Sequence, residues 1–582
     1  VPPFEPGEVN GPALSANRRE PDLDRLGQGE LDILVVGGGV VGAGIAVDAA
    51  TRGLSVGLVE AQDWSSGTSS RSTKLIHGGL RYLQMLDFYL VHEALKERGL
   101  LLERLAPHLV TQVPFLFPLR HRAYERAYMF AGVSLYDALG WSTGSSRGVP
   151  RQRQLSRHRV YAEAPGLRPG RFVGGIEYYD AQVDDARFVV TLVRTAAAFG
   201  AVAVNRTAAV GIERQGDRVV GARLRDLETG AEVVARARSV ILATGVWTEE
   251  AETLAGKEHP LRVRPSKGVH LVVAREKIAL SSAVAIQTEK SILFIIPWGR
   301  HWLIGTTDTP WEHDKVRPVA NASDIAYLLD HVNAILAEPL TADDIESVFA
   351  GLRPLIAGAG EETTKLSREH AVSSPTPGLV AISGGKYTTY RIMAKDAVDA
   401  AVLTWPTGAP RSCTESVPLV GASGIAGYRN QSGHLASRYG LSAERIEHLL
   451  GRYGTLLEEV LEPSVEDPSL LEPLTGGEEY LRAEVLYGVT HEGALHAEDV
   501  LRRRLRLDLE TRHRGTDSLE EVVSIMGGAL DWTESRRKDE VSRYRRLVET
   551  ELEAERQPDD AGASAVMGAV AEPPWVRPTA PS

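Results

Sequence analysis

Gly37, Gly39 and Gly42 stand in the spacing G-x-G-x-x-G, and Glu60 follows eighteen residues after the last of them. That pattern suits a dinucleotide. Gly37 permits a tight turn, Gly39 lets backbone approach a pyrophosphate at a helix amino terminus, and Gly42 lets helix and sheet pack closely. Glu60 is then placed to accept hydrogen bonds from ribose hydroxyls. The polar stretch DWSSGTSSRSTKLIHGG runs on from there. In it Thr68, Ser69 and Ser70 offer hydroxyl and backbone donors to a diphosphate. Each glycine weakens a helix by about 1 kcal/mol relative to alanine, so the pair Gly78 and Gly79 needs a physical reason. Either the pair lies flat against a planar ring, or it makes a strand-to-helix turn.

These groups need elements to hold them. LDILVVGGGVVGAGIAVDAATRGLSVGLVEA reads as an apolar strand, the glycine turn, a helix of small residues and a second strand ending at Glu60. Much later ARSVILATGVWT supplies another apolar strand, closing in Thr244-Gly245, which predicts a discontinuous nucleotide-binding domain. From Leu31 to about Thr404 short apolar runs alternate with helical patterns, the mark of an α/β domain. Thr404 to Arg411 reads as a linker, and from Ser412 to Glu555 charged, Leu-rich helical patterns dominate. Residues 1–30 and 556–582 read as flexible tails, because Pro, Gly and small polar residues build no core.

Composition excludes several classes. The 582 residues are 43% hydrophobic and 24% charged, ordinary values for a globular protein of two or three domains. A net charge of -12 argues against broad nucleic-acid binding. Cys413 is the single cysteine, which excludes an internal disulfide and fits a reducing compartment. No signal-like segment opens the chain, and no apolar run reaches the ~18 residues needed to span a bilayer. There is no HExxH and no cysteine cluster for zinc or iron–sulfur. SGGK is followed by Tyr387 and therefore misses the phosphate-binding pattern GxxxxGK[ST].

The ordered motifs GGGVVGAG, TSSRSTKLIHGGLRYL, LATGVW, GLRPL, LSREH and SGGKYTTYR resemble those of the respiratory FAD-dependent glycerol-3-phosphate dehydrogenases, and the resemblance covers about Leu31 to Glu555. It implies an FAD-binding Rossmann-like domain of the glutathione-reductase and D-amino-acid-oxidase type. It also implies an inserted antiparallel sheet over the flavin that receives substrate, and an all-α carboxy-terminal cap. Cofactor contacts would come from the residues above together with Lys74, His77, Gly245, Lys386 and Thr388. His77 and Arg81 would flank the flavin ring. Arg81, Tyr82, Arg353 and Arg368 match the substrate-binding positions, where a guanidinium fork suits phosphate oxygens.

The chemistry so implied is hydride removal from C2 of glycerol 3-phosphate to the flavin, with loss of the C2 hydroxyl proton. His270 in SKGVHLVV is the preferred base and His77 its competitor. Lys386 would stabilise a developing alkoxide or the reduced flavin, and Thr388 would donate a hydrogen bond. From Arg120 to Val160 eight arginines stand against two acids, interleaved with Tyr124, Tyr128, Phe130, Tyr136 and Trp141. Such a segment suits either an anionic bilayer surface or a solvated face over ordinary core aromatics. The resemblance accordingly implies a peripheral enzyme on the inner face of the plasma membrane that passes electrons to a quinone (ubiquinone or menaquinone). The alternatives are an oxidase of the same superfamily that makes peroxide, and a nucleotide-binding interaction protein without turnover. The oligomeric state stays open, a homodimer included.

Overall fold

Strands covered by helices on both faces must be apolar on both faces, and Ile33, Leu34 and Val35 are fully buried. The structure, a computed structural model, describes residues 13–79, 87–121, 124–144, 148–256, 261–287, 292–356 and 369–570. Glu30–Val36 lies in parallel between Val56–Val59 and Glu232–Leu242. Val202–Val204 and Leu379–Gly384 extend the parallel core outward. The strand leading to Thr244-Gly245 therefore joins this sheet from far along the chain. Helix Val40–Thr51 packs between helices Asp185–Ala198 and Tyr390–Val402.

A second sheet forms from the segments between. Val263–Ala274 pairs antiparallel with Ile345–Ile356 on one side and His301–Gly305 on the other. Ile292–Trp298, Ala283–Gln287, Thr111–Leu119 and Gly174–Gln182 follow in that order. The Ala283–Gln287 and Thr111–Leu119 pair runs parallel. The carboxy-terminal region is helical around two apolar cores, one centred on Ile446, Leu450 and Val460, the other on Val485, Leu501, Met526 and Tyr544. It carries one short hairpin, Pro473–Leu474 with Gly477–Leu481.

The ordered region reaches further than the expected boundaries. Ala16–Gly27, placed by sequence in a tail, is a helix. Its Leu26 is fully buried in a core with Val59 and Val204, and Arg19 forms an ion pair with Asp226. Asp560–Gly568 is a helix too, burying Ala563 and Met567 against Val319 and Leu547. A few apolar side chains suffice in each case because the rest of the protein supplies the other half of the contact. The linker is packed as well: Trp405 is buried and its indole N–H donates to Ser239 Oγ at 3.2 Å.

Candidate active site

The carboxyl ends of the parallel strands and one face of the second sheet enclose a cavity of about 670 Å3, within the usual range for a ligand site. At one end lies the glycine turn. Gly37 has φ +114°, and a Cβ there would sit 2.5 Å from the Ala243 carbonyl oxygen. A Cβ on Gly42 would lie 1.8 Å from the Gly37 carbonyl oxygen, so only glycine brings helix Val40–Thr51 this close to the turn. Gly42 works behind the wall, while Gly37, Gly39, Glu60, Thr68, Ser69 and Gly245 line it. Glu60 accepts from the backbone N–H of Gly38 at 2.6 Å and of Gln62 at 2.8 Å. Burial pushes its carboxyl above the usual range, against the pull of those two donors.

Thr68 spends its hydroxyl proton within the protein, while Ser69 Oγ serves there as an acceptor. Thr68 Oγ1 donates to Leu352 O at 2.6 Å, and Ser69 Oγ accepts from Val40 N–H at 3.0 Å. The wall they make still fits FAD. A side-chain-free turn meets a helix amino terminus, whose partial positive charge favours a diphosphate, and a carboxylate stands at the end of the second strand for a ribose. Glu60→Lys removes two charge-assisted hydrogen bonds and puts a cation beside that terminus. Flavin retained through purification, read from its absorbance per protein, is expected to fall about tenfold or more. Full occupancy would take Glu60 out of the site.

The other end of the cavity gathers His77, His270, Arg353 and Lys386. His270 lies across from Phe349 in the paired strands, and the two rings stack at 4.7 Å with 5° between their planes. Its Nε2 meets Thr73 Oγ1 at 3.1 Å. Burial, then the charges of Arg353 and Lys74, hold the imidazole well below its usual range, so it is neutral at physiological pH. Arg353 donates to Thr306 Oγ1 at 3.0 Å, and to Thr307 O and Asp308 Oδ1 at 3.3 Å. Gly268 leaves room for it, since a Cβ there would lie 2.5 Å from Arg353 Nη2. Lys386 enters the cavity after two left-handed glycines, Gly384 at φ +78° and Gly385 at φ +74°.

Other expected residues lie off the wall. A Cβ on Gly78 would lie 2.6 Å from both Leu95 Cδ2 and Tyr136 Oη. The missing side chain thus makes room for the helices Phe88–Leu100 and Tyr124–Ser142, and Gly79 follows with φ +75°. Lys74 is fully buried, donating to Asp185 Oδ1 at 2.8 Å and to Ser70 O at 3.3 Å. It holds the polar stretch to helix Asp185–Ala198, and Ser70 faces that side with it. Thr388 braces the backbone of His77, accepting from its N–H at 3.1 Å and donating to its carbonyl at 3.3 Å. Arg81, Tyr82 and Arg368 lie outside the described residues. Sequence reasoning missed Thr73, Phe349 and Asp308. Period-two alternation along Ile345–Ile356 puts Phe349 on the same face as Gly351 and Arg353, a signal that was there to read.

Residues 32–391 match the model of the FAD-dependent oxidoreductases, and residues 412–537 that of the C-terminal domain of alpha-glycerophosphate oxidase. The chain is 50% identical over 560 residues to glycerol-3-phosphate dehydrogenase 2 of Mycobacterium tuberculosis, covering 96% of this chain and 95% of that one. Identity to the mitochondrial glycerol-3-phosphate dehydrogenase of Bos taurus is 36% over 547 residues, covering 90% and 74%. Among solved structures, the Bacillus halodurans glycerol-3-phosphate dehydrogenase complexed with FAD superposes with a TM-score of 0.76 at 30% identity, covering 93% of this chain and 98% of that one. Sequence and fold agree over nearly the whole chain, and the chain belongs to the family of FAD-dependent glycerol-3-phosphate dehydrogenases.

Proposed function

We propose that the protein oxidises sn-glycerol 3-phosphate to dihydroxyacetone phosphate and passes the electrons to a membrane quinone. The observation that carries the first half is the convergence of His77, His270, Arg353 and Lys386 on the cavity that begins at the dinucleotide turn. FAD bound there supplies a two-electron acceptor for the C2 hydrogen. Arg353 brings its guanidinium charge to the substrate phosphate, with Thr306, Thr307 and Asp308 fixing the direction of the guanidinium. His270, kept neutral, accepts the C2 hydroxyl proton at Nε2 once the substrate hydroxyl takes the place of Thr73 Oγ1 there, and the stacked Phe349 ring holds the imidazole in place. The Lys386 ammonium offsets negative charge growing on the C2 oxygen. Anaerobic bleaching of the flavin by glycerol 3-phosphate, but not by glycerol, tests this; equal bleaching by both substrates rejects the phosphate reading.

The quinone half is supported by an exposed apolar face. Tyr124, Tyr128 and Leu135 lie on one side of helix Tyr124–Ser142, exposed by 72%, 57% and 40%. The neighbouring helix adds Phe88 and Tyr89. Two arginines of the basic segment are already engaged: Arg151 stacks 3.8 Å above the Trp141 ring, and Arg153 is paired with Glu177 at 2.6 Å. No helix among the described residues is long and apolar enough to cross a membrane, so access to a lipid quinone comes from lying on the surface. Changing Tyr124, Tyr128 and Leu135 together to serine is expected to cut sedimentation with anionic vesicles about tenfold or more, from the lost apolar burial. A soluble artificial acceptor should still be reduced. Unmodified protein that ignores vesicles and makes peroxide in proportion to substrate consumed would overturn the quinone assignment.

A further inference from the structure

A second, small cavity of about 50 Å3 lies on the other side of the polar stretch, between strand Ile345–Ile356 and the helical domain. Arg71, Arg317, Arg502, Arg503, Arg506 and Arg514 converge on its wall. Five of these are engaged. Arg317 grips Glu498 with two bonds of 2.5 and 2.9 Å, and Arg502 grips Glu551 at 2.8 and 2.7 Å. Arg503 reaches Asp63 and Asp499, both at 2.6 Å, and Arg506 reaches Ser70 O at 3.0 Å and Asp185 at 3.3 Å. Arg514 donates to Glu551 at 3.2 Å and pairs with Glu555.

Arg71 is the exception. Its guanidinium has no hydrogen bond or ion pair among the described residues, and Asp508 Oδ1 on the same wall is buried without a partner. Burial, then the like charges of Arg317 and Arg502, push Arg71 down to about 10, still far too high for it to be neutral at physiological pH. Glu551 offsets part of this charge, but its oxygens are bonded by Arg502 and Arg514, and a partly buried guanidinium without a bonded counter-charge of its own is costly. Among the described residues of this wall, Asp508 is the acid that no arginine hydrogen-bonds, and burial raises its carboxyl.

We infer that this cavity binds one small tetrahedral oxyanion of the phosphate class, held by the Arg71 fork, with a hydroxyl of the anion donating to Asp508 Oδ1, which is buried without a partner. The volume admits a single inorganic ion and no sugar phosphate. Because Ser70 and Arg71 belong to the FAD-binding part and Arg502 to Asp508 to the helical domain, the anion braces the two parts together.

The test uses full-length, FAD-loaded protein dialysed free of phosphate and sulfate, melted over a titration of inorganic phosphate at ionic strength held constant with chloride. The expected result is a saturable rise in Tm of about 2 °C. The rise should persist with saturating glycerol 3-phosphate and in Arg353→Ala, which separates it from phosphate entering the substrate cavity. Arg71→Met should weaken the apparent affinity about tenfold or more. If Arg71→Met does not fold, Arg71→Lys decides: it keeps the charge, loses the planar fork, and should weaken phosphate binding by a similar factor. The inference is overturned by no rise beyond that in chloride alone, by a rise that Arg353→Ala or substrate abolishes, or by one that the Arg71 variant retains.

Discussion

Arg353→Ala is expected to lower kcat/KM for glycerol 3-phosphate by about 30- to 5,000-fold while the purified protein keeps its flavin. The size follows from removing one member of a buried, hydrogen-bonded charge pair, which costs roughly 2 to 5 kcal/mol. The guanidinium is already fixed by Thr306, Thr307 and Asp308 before any ligand arrives, so little is spent ordering it on binding. Its loss also leaves Asp308 without one of its cations, adding an uncompensated negative charge near the phosphate. Steady-state kinetics with glycerol 3-phosphate and with glycerol separate the two readings. The variant should lose its preference for the phosphorylated substrate. A parallel loss toward both would mean that Arg353 supports the fold or the chemistry and not phosphate recognition.

His270→Ala is expected to slow anaerobic flavin reduction at saturating substrate by about 10²- to 10⁴-fold, the usual contribution of a general base, with a smaller effect on KM. The base must be neutral to accept a proton. The His270 imidazole is held well below its ordinary range by burial, Arg353 and Lys74, so the neutral form persists into acid solution. The reduction rate of the unmodified protein should therefore stay level as pH falls from 8 through 6.5, with its acid limb at lower pH. His270→Ala should remove that limb as well as the rate. An unchanged reduction rate would move the role of base to His77, which shares the cavity wall. Phe349→Leu offers a milder check: without the stacked ring the imidazole loses its fixed plane, and the rate should fall without loss of flavin.

The dinucleotide turn was legible because every part of it is local. The strand, the three glycines, the helix start and Glu60 lie within one short stretch of chain, and each residue type answers a demand set by its immediate neighbours. Lys386 was legible for the same reason, since the preceding glycine pair has to turn the backbone into the cavity. The two-sheet architecture was foreseen from strand-like runs and the family resemblance, although the folded limits were drawn too tightly. Ala16–Gly27 and Asp560–Gly568 bury only a few apolar side chains each, and the surfaces that receive Leu26 and Met567 come from distant segments.

What tertiary structure alone decided was where each polar side chain spends its bonding capacity. Lys74 looks like a cavity cation in sequence, yet Asp185, more than a hundred residues away, captures it. Gly78 looks like room for a ring, yet Leu95 and Tyr136 fill the space. Arg353 and Arg71 are the same residue type and both line the large cavity, but one is fixed there by Thr306 to Asp308 while the other also borders the small cavity with five further arginines and Asp508. Spacing along a chain sets backbone conformation and which face a side chain takes. The partner across from that face is set by how distant segments pack, and with it the charge state of His270 and the role of every cation in the site.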